Sequence, residues 1–192
     1  MKPQVREALM DLEAPINQTL LKGVLESGTS RIDNIFLDIA ESISEFSNCQ
    51  SIHVGAVIVN DGRIISTGYN GSPPGFYNCS DVFPDKIAKD IREDHHQWSL
   101  RCETHAEMNS LLYAAKNGVS VNMAIMYCTH QPCHSCLRHS ITAGIQKIIF
   151  RHLYDKADYT QDTIDLIVKS KVRLINVNEP NYTTGWINDG RN

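Results

Sequence analysis

Residues 123–150 read MAIMYCTHQPCHSCLRHSITAGIQKIIF, from Met123 to Phe150. Met123 to Cys128 is a short apolar run of strand length, and Lys147 to Phe150 is a second one rich in isoleucine. Between them Cys133 to Ala143 reads as a helix, with Pro132 fixing the chain just before it opens. A strand, a helix and a strand in about 28 residues form a crossover unit, whose two strands lie parallel in one sheet.

The pattern extends in both directions. Downstream, Asp162 to Lys169 reads as a helix and Val172 to Val177 as a last strand. Upstream, a helix runs from Thr104 to about Asn117 with Gly118 as its stop. Before it, His53–Val59 and Ile64–Tyr69 are joined through Asn60-Asp61-Gly62, a hairpin signal. Ser30 caps an amphipathic helix with Ile32, Ile35, Phe36, Ile39, Ile43 and Phe46 on its expected apolar stripe, and Asp33 in its first turn. This order predicts an α/β protein, a three-layer α/β/α fold around a mixed five-stranded sheet. Residues 30–178 form the expected main domain. Residues 1–29 read as a helical extension, with Pro15 opening and Gly28 closing a helix, and 179–192 as a tail. Residues 70–95, with Gly71, Pro73, Pro74, Gly75 and Pro84, read as one long loop, a length usually reserved for function or held by something.

The chain has 192 residues, 42 % hydrophobic and 21 % charged, with a formal net charge of −4. That is enough to bury roughly 70 % of the unfolded surface without staples. No apolar run approaches the roughly 20 residues of a membrane span, and the first thirty residues lack a signal-peptide core. A soluble, intracellular protein is the expectation. The acidic balance and the absence of an aromatic-basic stripe argue against polynucleotide binding. Six cysteines and eight histidines are the excess to be explained, and in a reducing compartment thiols are more often metal ligands or core residues than disulfides.

His105-Ala106-Glu107 opens one helix, and Pro132-Cys133-His134-Ser135-Cys136 opens the next. Both lie at helix N-termini after strand-side loops, where α/β folds place their sites. Cys133 and Cys136 are three apart and can hold one ion, with His105 as third ligand. Two thiolates and an imidazole suit zinc, and three protein ligands leave a fourth position for a water whose pKa the metal lowers toward neutrality. Glu107 is then the proton carrier. The competing possibility is a closed structural zinc with a fourth ligand from Cys128, His130, His134 or His139. His-x-Glu followed by Pro-Cys-x-x-Cys is the pattern of zinc deaminases.

Together with Val54–Ile58 and the run Gly62–Pro73, which ends Gly68-Tyr69-Asn70-Gly71-Ser72-Pro73, these motifs resemble the zinc-dependent deoxycytidylate (dCMP) deaminases. The phage type is the nearest, and the resemblance spans roughly residues 31–177. It implies hydrolysis of dCMP to dUMP and ammonia, with zinc on His105, Cys133 and Cys136 and proton transfer by Glu107. It further implies sugar contact by Asn70, a homo-oligomer (hexamer or smaller), and a cytoplasmic location, the host's if the chain is viral. Activation by dCTP with Mg²⁺ and inhibition by dTTP also follow from it, with Gly68, Tyr69, Gly71 and Ser72 on the effector side. Tyr154 is placed where a base or phosphate could stack. Cys49, Cys79, His95 and Glu103, at irregular spacings that alone would not mark a site, match a second, structural zinc of viral members, with Cys102 and His96 as competing neighbours.

Lys116 stands where phage members are expected to carry Arg, and lysine lacks the planar fork of arginine. There is no phosphate-binding P-loop; Arg63, Lys116, Arg138 and Lys156 are candidates for the phosphate. His53, His130, His139 and His152 read as ordinary polar residues. A deaminase of polynucleotides, and a silent zinc-stabilised module using residues 1–29 as a binding arm, are the alternatives.

Overall fold

The computed structural model describes residues 25–26, 30–83, 87–88, 90–154, 157 and 159–178. The expected extension and tail otherwise lie outside these residues, as does Lys156. Leu25–Glu26 is a strand, β1, where a helix running to Gly28 was expected. It pairs in parallel with Leu174 and Ile175 and adds a short sixth strand to the edge of the expected five. The other elements are α1 (Arg31–Ser44), β2 (Gly55–Asn60), β3 (Arg63–Tyr69), α2 (Cys79–Val82), α3 (Arg92–Cys102), α4 (Ala106–Lys116), β4 (Ile125–His130), α5 (His134–Thr142), β5 (Lys147–His152), α6 (Gln161–Ser170) and β6 (Arg173–Asn176).

The sheet order is β1-β6-β5-β4-β2-β3. β4, β5 and β6 are parallel, while β2 runs antiparallel to both β3 and β4. Asp61 and Gly62 both have positive φ, 48° and 72°, the backbone of the two-residue hairpin turn that the sequence signalled. One core, around Met126, Ile148, Phe150 and Leu174, packs under α4, α5 and α6. The other, around Val57, Tyr127, Ile149 and Ile175, packs under α1. The three layers are therefore α/β/α, and the carboxyl ends of β4 and β5 open at one rim.

Helix α1 starts as read: Asp33 N–H donates to Ser30 Oγ at 3.2 Å and Ser30 N–H to Asp33 Oδ2 at 2.9 Å, a reciprocal cap. Its buried face differs from the expected stripe. Leu37 and Ala40 point inward, and Ile32, Ile35 and Phe46 are exposed. The cause is a close approach to β2: a Cβ on Gly55 would lie 2.0 Å from the Ala40 carbonyl oxygen. The helix centres its small residues there, while Phe36, Ile39 and Ile43 of the expected stripe pack on the core from the flank, partly buried.

Asp33 also accepts from Tyr127 Oη at 2.8 Å, linking the helix tip to the sheet. Burial opposes its ionisation, but the hydrogen bonds from Ser30 and Tyr127 outweigh it and hold the carboxyl below its ordinary value. Asp33→Ala is expected to cost about 2–3 kcal/mol, a helix cap plus a charge-assisted hydrogen bond, read by urea unfolding. A lowered carboxyl stabilises fully above its unfolded pKa of about 3.9 and loses that contribution as pH falls through the folded value. The Ala variant should accordingly lose less stability than the wild type between neutral and acid pH.

Candidate metal centres and the cavity between them

His105 is the N-cap of α4 and Glu107 its second helical residue, while Cys133 is the N-cap of α5 and Cys136 lies in its first turn. Both motifs thus lie at helix N-termini, as expected, where first-turn side chains can surround one centre. Cys133 Sγ accepts from Cys136 N–H at 3.4 Å, so the thiol itself caps the helix. His105 Nδ1 stands 3.6 Å from Cys133 Sγ and 3.5 Å from Cys136 Sγ. A tetrahedral zinc, with Zn–S of about 2.3 Å and Zn–N of about 2.0–2.1 Å, sets an S···N separation of about 3.6 Å. The three side chains therefore fit the ion.

Cys128, His130, His134 and His139, the candidates for a fourth ligand, do not join this group among the described residues. Cys128 is a fully buried thiol that burial pushes far from ionisation. His134 Nδ1 is hydrogen-bonded to Thr163 Oγ1 at 2.8 Å. The set is three ligands with an open side, which faces a cavity of about 380 Å³. The Cys133 thiol is drawn down by hydrogen bonds from Cys136 and His105, and the Cys136 thiol is pushed up by its partner Cys133. An ion bound there replaces the shared protons.

Glu107 lines the same cavity and is only 4 % exposed. Burial pushes its carboxyl up to about 7, against the opposing pull of His105. A carboxyl poised near neutrality can both take and give a proton.

A second group forms from Cys49, Cys79 and His95, all buried, with ligand atoms within 4.8 Å of one another. His95 Nε2 lies 3.6 Å from Cys49 Sγ and 3.3 Å from Cys79 Sγ, again near zinc spacing. Burial raises both thiols, Cys79 to about 12. Glu103 does not enter the three-residue group, although its Oε1 is buried without a hydrogen-bond partner and its Oε2 accepts from Ser99 Oγ at 2.6 Å. Cys102 is not part of the group either.

The expected long loop is in fact partly helical: α2 carries Cys79 and α3 carries His95. The second group joins α2, α3 and the segment after α1. One cavity touches both centres, reaching from Cys49 and His95 to His105 and Cys133.

Asn70 lines the cavity, but its amide is already engaged: Oδ1 accepts from Val54 N–H at 2.8 Å and Nδ2 donates to the Ile52 carbonyl at 3.0 Å. It braces the cavity wall, with one amide hydrogen to spare. Tyr154 lines the cavity as expected. Gly68 has a packing role of its own, because a Cβ there would come within 2.4 Å of Ala106 O and Ser110 N. It lets α4 lie close on β3 and so sets the depth of Glu107. Gly71 pairs with Thr104 through two backbone hydrogen bonds of 3.1 and 2.8 Å, while Tyr69 is partly exposed and Ser72 Oγ is buried without a partner.

Arg63, Lys116 and Arg138 do not line the cavity. The sequence reading missed Arg92, named His96 only as a competing neighbour of the second zinc and took His130 as an ordinary polar residue; all three line the cavity. Helical periodicity is the signal that could have found the first two, since Arg92, His95, His96 and Ser99 recur at one helical face.

Comparison with known proteins gives a consistent picture. The family of the cytidine and deoxycytidylate deaminase zinc-binding region matches residues 30–152. The deoxycytidylate deaminase of Enterobacteria phage T4 is 36 % identical over 182 residues, 79 % of this chain and 93 % of the relative. That of Mycobacterium phage D29 is 35 % identical over 121 residues, 62 % of this chain and 92 % of the relative. The crystal structure of dCMP deaminase from cyanophage S-TIM5, in complex with dCMP and dUMP, superposes with a TM-score of 0.61 at 28 % identity. It covers 78 % of this chain and 98 % of that one.

Proposed function

The chain belongs to the cytidine and deoxycytidylate deaminase family, and from that premise we propose that it hydrolyses dCMP to dUMP and ammonia, supplying dUMP for thymidine nucleotide synthesis. The observation that carries this reading is the three-ligand group His105, Cys133 and Cys136, open to a nucleotide-sized cavity with Glu107 buried beside it. A zinc ion held there acidifies water and stabilises developing negative charge.

The chain's own residues then do the rest. Glu107 takes a proton from water as it adds to cytosine C4 and delivers it to N3. A second transfer through the same carboxyl protonates the departing amine. Asn70 holds the wall against which the sugar lies, and Tyr154 flanks the entrance. Burial of Glu107 keeps bulk water from short-circuiting these transfers.

The second group, Cys49, Cys79 and His95 with Glu103 closing it from the side, is assigned to a structural zinc. Its thiols at zinc spacing and the unpartnered Glu103 Oε1 support that assignment. The regulatory part of the reading is activation by dCTP with Mg²⁺ and inhibition by dTTP at the Gly68–Ser72 exit, where Tyr69 is accessible. It rests on the resemblance in that run. Exposed Leu112 and Tyr113 on α4, and the exposed Phe46–Tyr69 ring pair at 5.9 Å, are consistent with assembly into a homo-oligomer. No helix among the described residues is long and apolar enough to cross a membrane, in keeping with a cytoplasmic enzyme.

The deciding experiment is an absorbance assay of the zinc-loaded protein with dCMP, deoxycytidine, dCTP and a short single-stranded DNA. Turnover of dCMP above the others is expected. Turnover of none sinks the enzyme reading, and preference for the single strand replaces it with a polynucleotide deaminase. Adding dCTP with Mg²⁺, or dTTP, to the dCMP assay tests the effectors: unchanged rates exclude the regulatory part alone.

A further inference from the structure

We propose that Arg92, seconded by His96 on the same helix, binds the phosphate of the substrate and so sets the preference for a nucleotide over a nucleoside. The proposal rests on the dCMP reading above. One face of α3 lines the cavity: Arg92, His95, His96 and Ser99 recur at helical steps, and Glu103 continues the row past the helix end. Most of that row is committed. His95 faces the two thiols, and Ser99 donates its hydroxyl proton to Glu103. Arg92 and His96 carry no such engagement in the metal group.

The charge inventory of the cavity points the same way. Among the described residues Arg92 is the one Lys or Arg side chain that lines it. The carboxyl groups of Glu103 and Glu107 line it as well, so the cavity offers a phosphate no other Lys or Arg than Arg92 among the described residues. Arg92 forms no ion pair with another described residue. Its neighbours Glu93 and Asp94 do not line the cavity, and Glu93 accepts from Gln97 instead. Ser51, also on the wall, adds a hydroxyl from the segment after α1. Arg92 is exposed at the cavity mouth, where its guanidinium presents two parallel N–H donors that match two phosphate oxygens. A base held near Glu107 with its phosphate at Arg92 spans the cavity between the two centres.

The test compares kcat and KM for dCMP and for deoxycytidine in the zinc-loaded full chain. Arg92→Ala is expected to lower the dCMP-to-deoxycytidine ratio of kcat/KM by about 100-fold, the worth of a charge-assisted contact, mostly through the KM for dCMP. Arg92→Lys should fall between, keeping charge without the fork. Metal content and melting temperature equal to wild type identify a local effect. A wild type that prefers dCMP, with the ratio unchanged in Arg92→Ala, overturns the assignment alone. So does a fall seen in Lys156→Ala and not in Arg92→Ala. A wild type that turns over neither compound overturns the dCMP reading and this assignment with it.

Discussion

Glu107→Gln is expected to reduce dCMP turnover by about 10²–10⁴-fold or more, the contribution of a positioned proton carrier, while the protein keeps its zinc and its fold. The amide matches the carboxyl in size, so the packing of a side chain 4 % exposed is conserved. What it loses is the ability to take and return a proton. Glu107 is not among the three metal-spaced ligands, so metal analysis should give the wild-type content. A purely structural carboxyl would behave differently. Replacing a buried acid that burial already drives toward its neutral form costs little, and activity would persist. Near-wild-type turnover in Glu107→Gln therefore removes it from the chemistry. Glu107→Asp adds a geometric control, since it keeps the titrating group but withdraws it by one methylene, and partial activity is expected.

The site was legible where chemistry constrains residue type at short spacing. His105, Glu107, Cys133 and Cys136 are bound to two helix tips, and the structure brings them together. The strand–helix–strand alternation was equally readable, because buried parallel strands such as Ile148–Phe150 leave an apolar run that little else explains. Other features were hidden for physical reasons. Helix α3 escaped notice because its inward face is polar: Arg92, His95, His96 and Ser99 face a cavity, and an apolar stripe is what betrays a helix in sequence. That Leu37 and Ala40 centre the buried face of α1, with Phe36, Ile39 and Ile43 beside them, depends on Gly55 meeting Ala40 across a tertiary contact that local pattern does not contain. Asn70 and Gly68, which the resemblance places at the sugar and on the effector side, also have packing roles that the sequence did not reveal: an amide bracing residues 52–54 and a missing Cβ that admits α4. A tight backbone approach and a ligand-binding glycine look the same in one dimension.

Cys79→Ser should lower the zinc content from two per chain to one and destabilise the fold by about 4 kcal/mol, the effect of losing a ligand held at about a thousand times its dissociation constant. Cys49, Cys79 and His95 come from three separate segments, so without the ion their cohesion rests on packing such as the Phe83 ring against His95 and Trp98. Faster proteolysis between residues 71 and 91 is expected with the loss. The effect should reach activity as well, because α3 leads through Glu103 and Thr104 directly to His105, and Thr104 is pinned by Gly71. A wild type with one zinc per chain, or a Cys79→Ser protein of unchanged content and stability, excludes the second ion. The double variant separates a shared ion from two merely buried thiols. If one ion joins them, the first substitution releases it and adding Cys49→Ser costs little more. If each thiol contributes only its own packing, the two losses add.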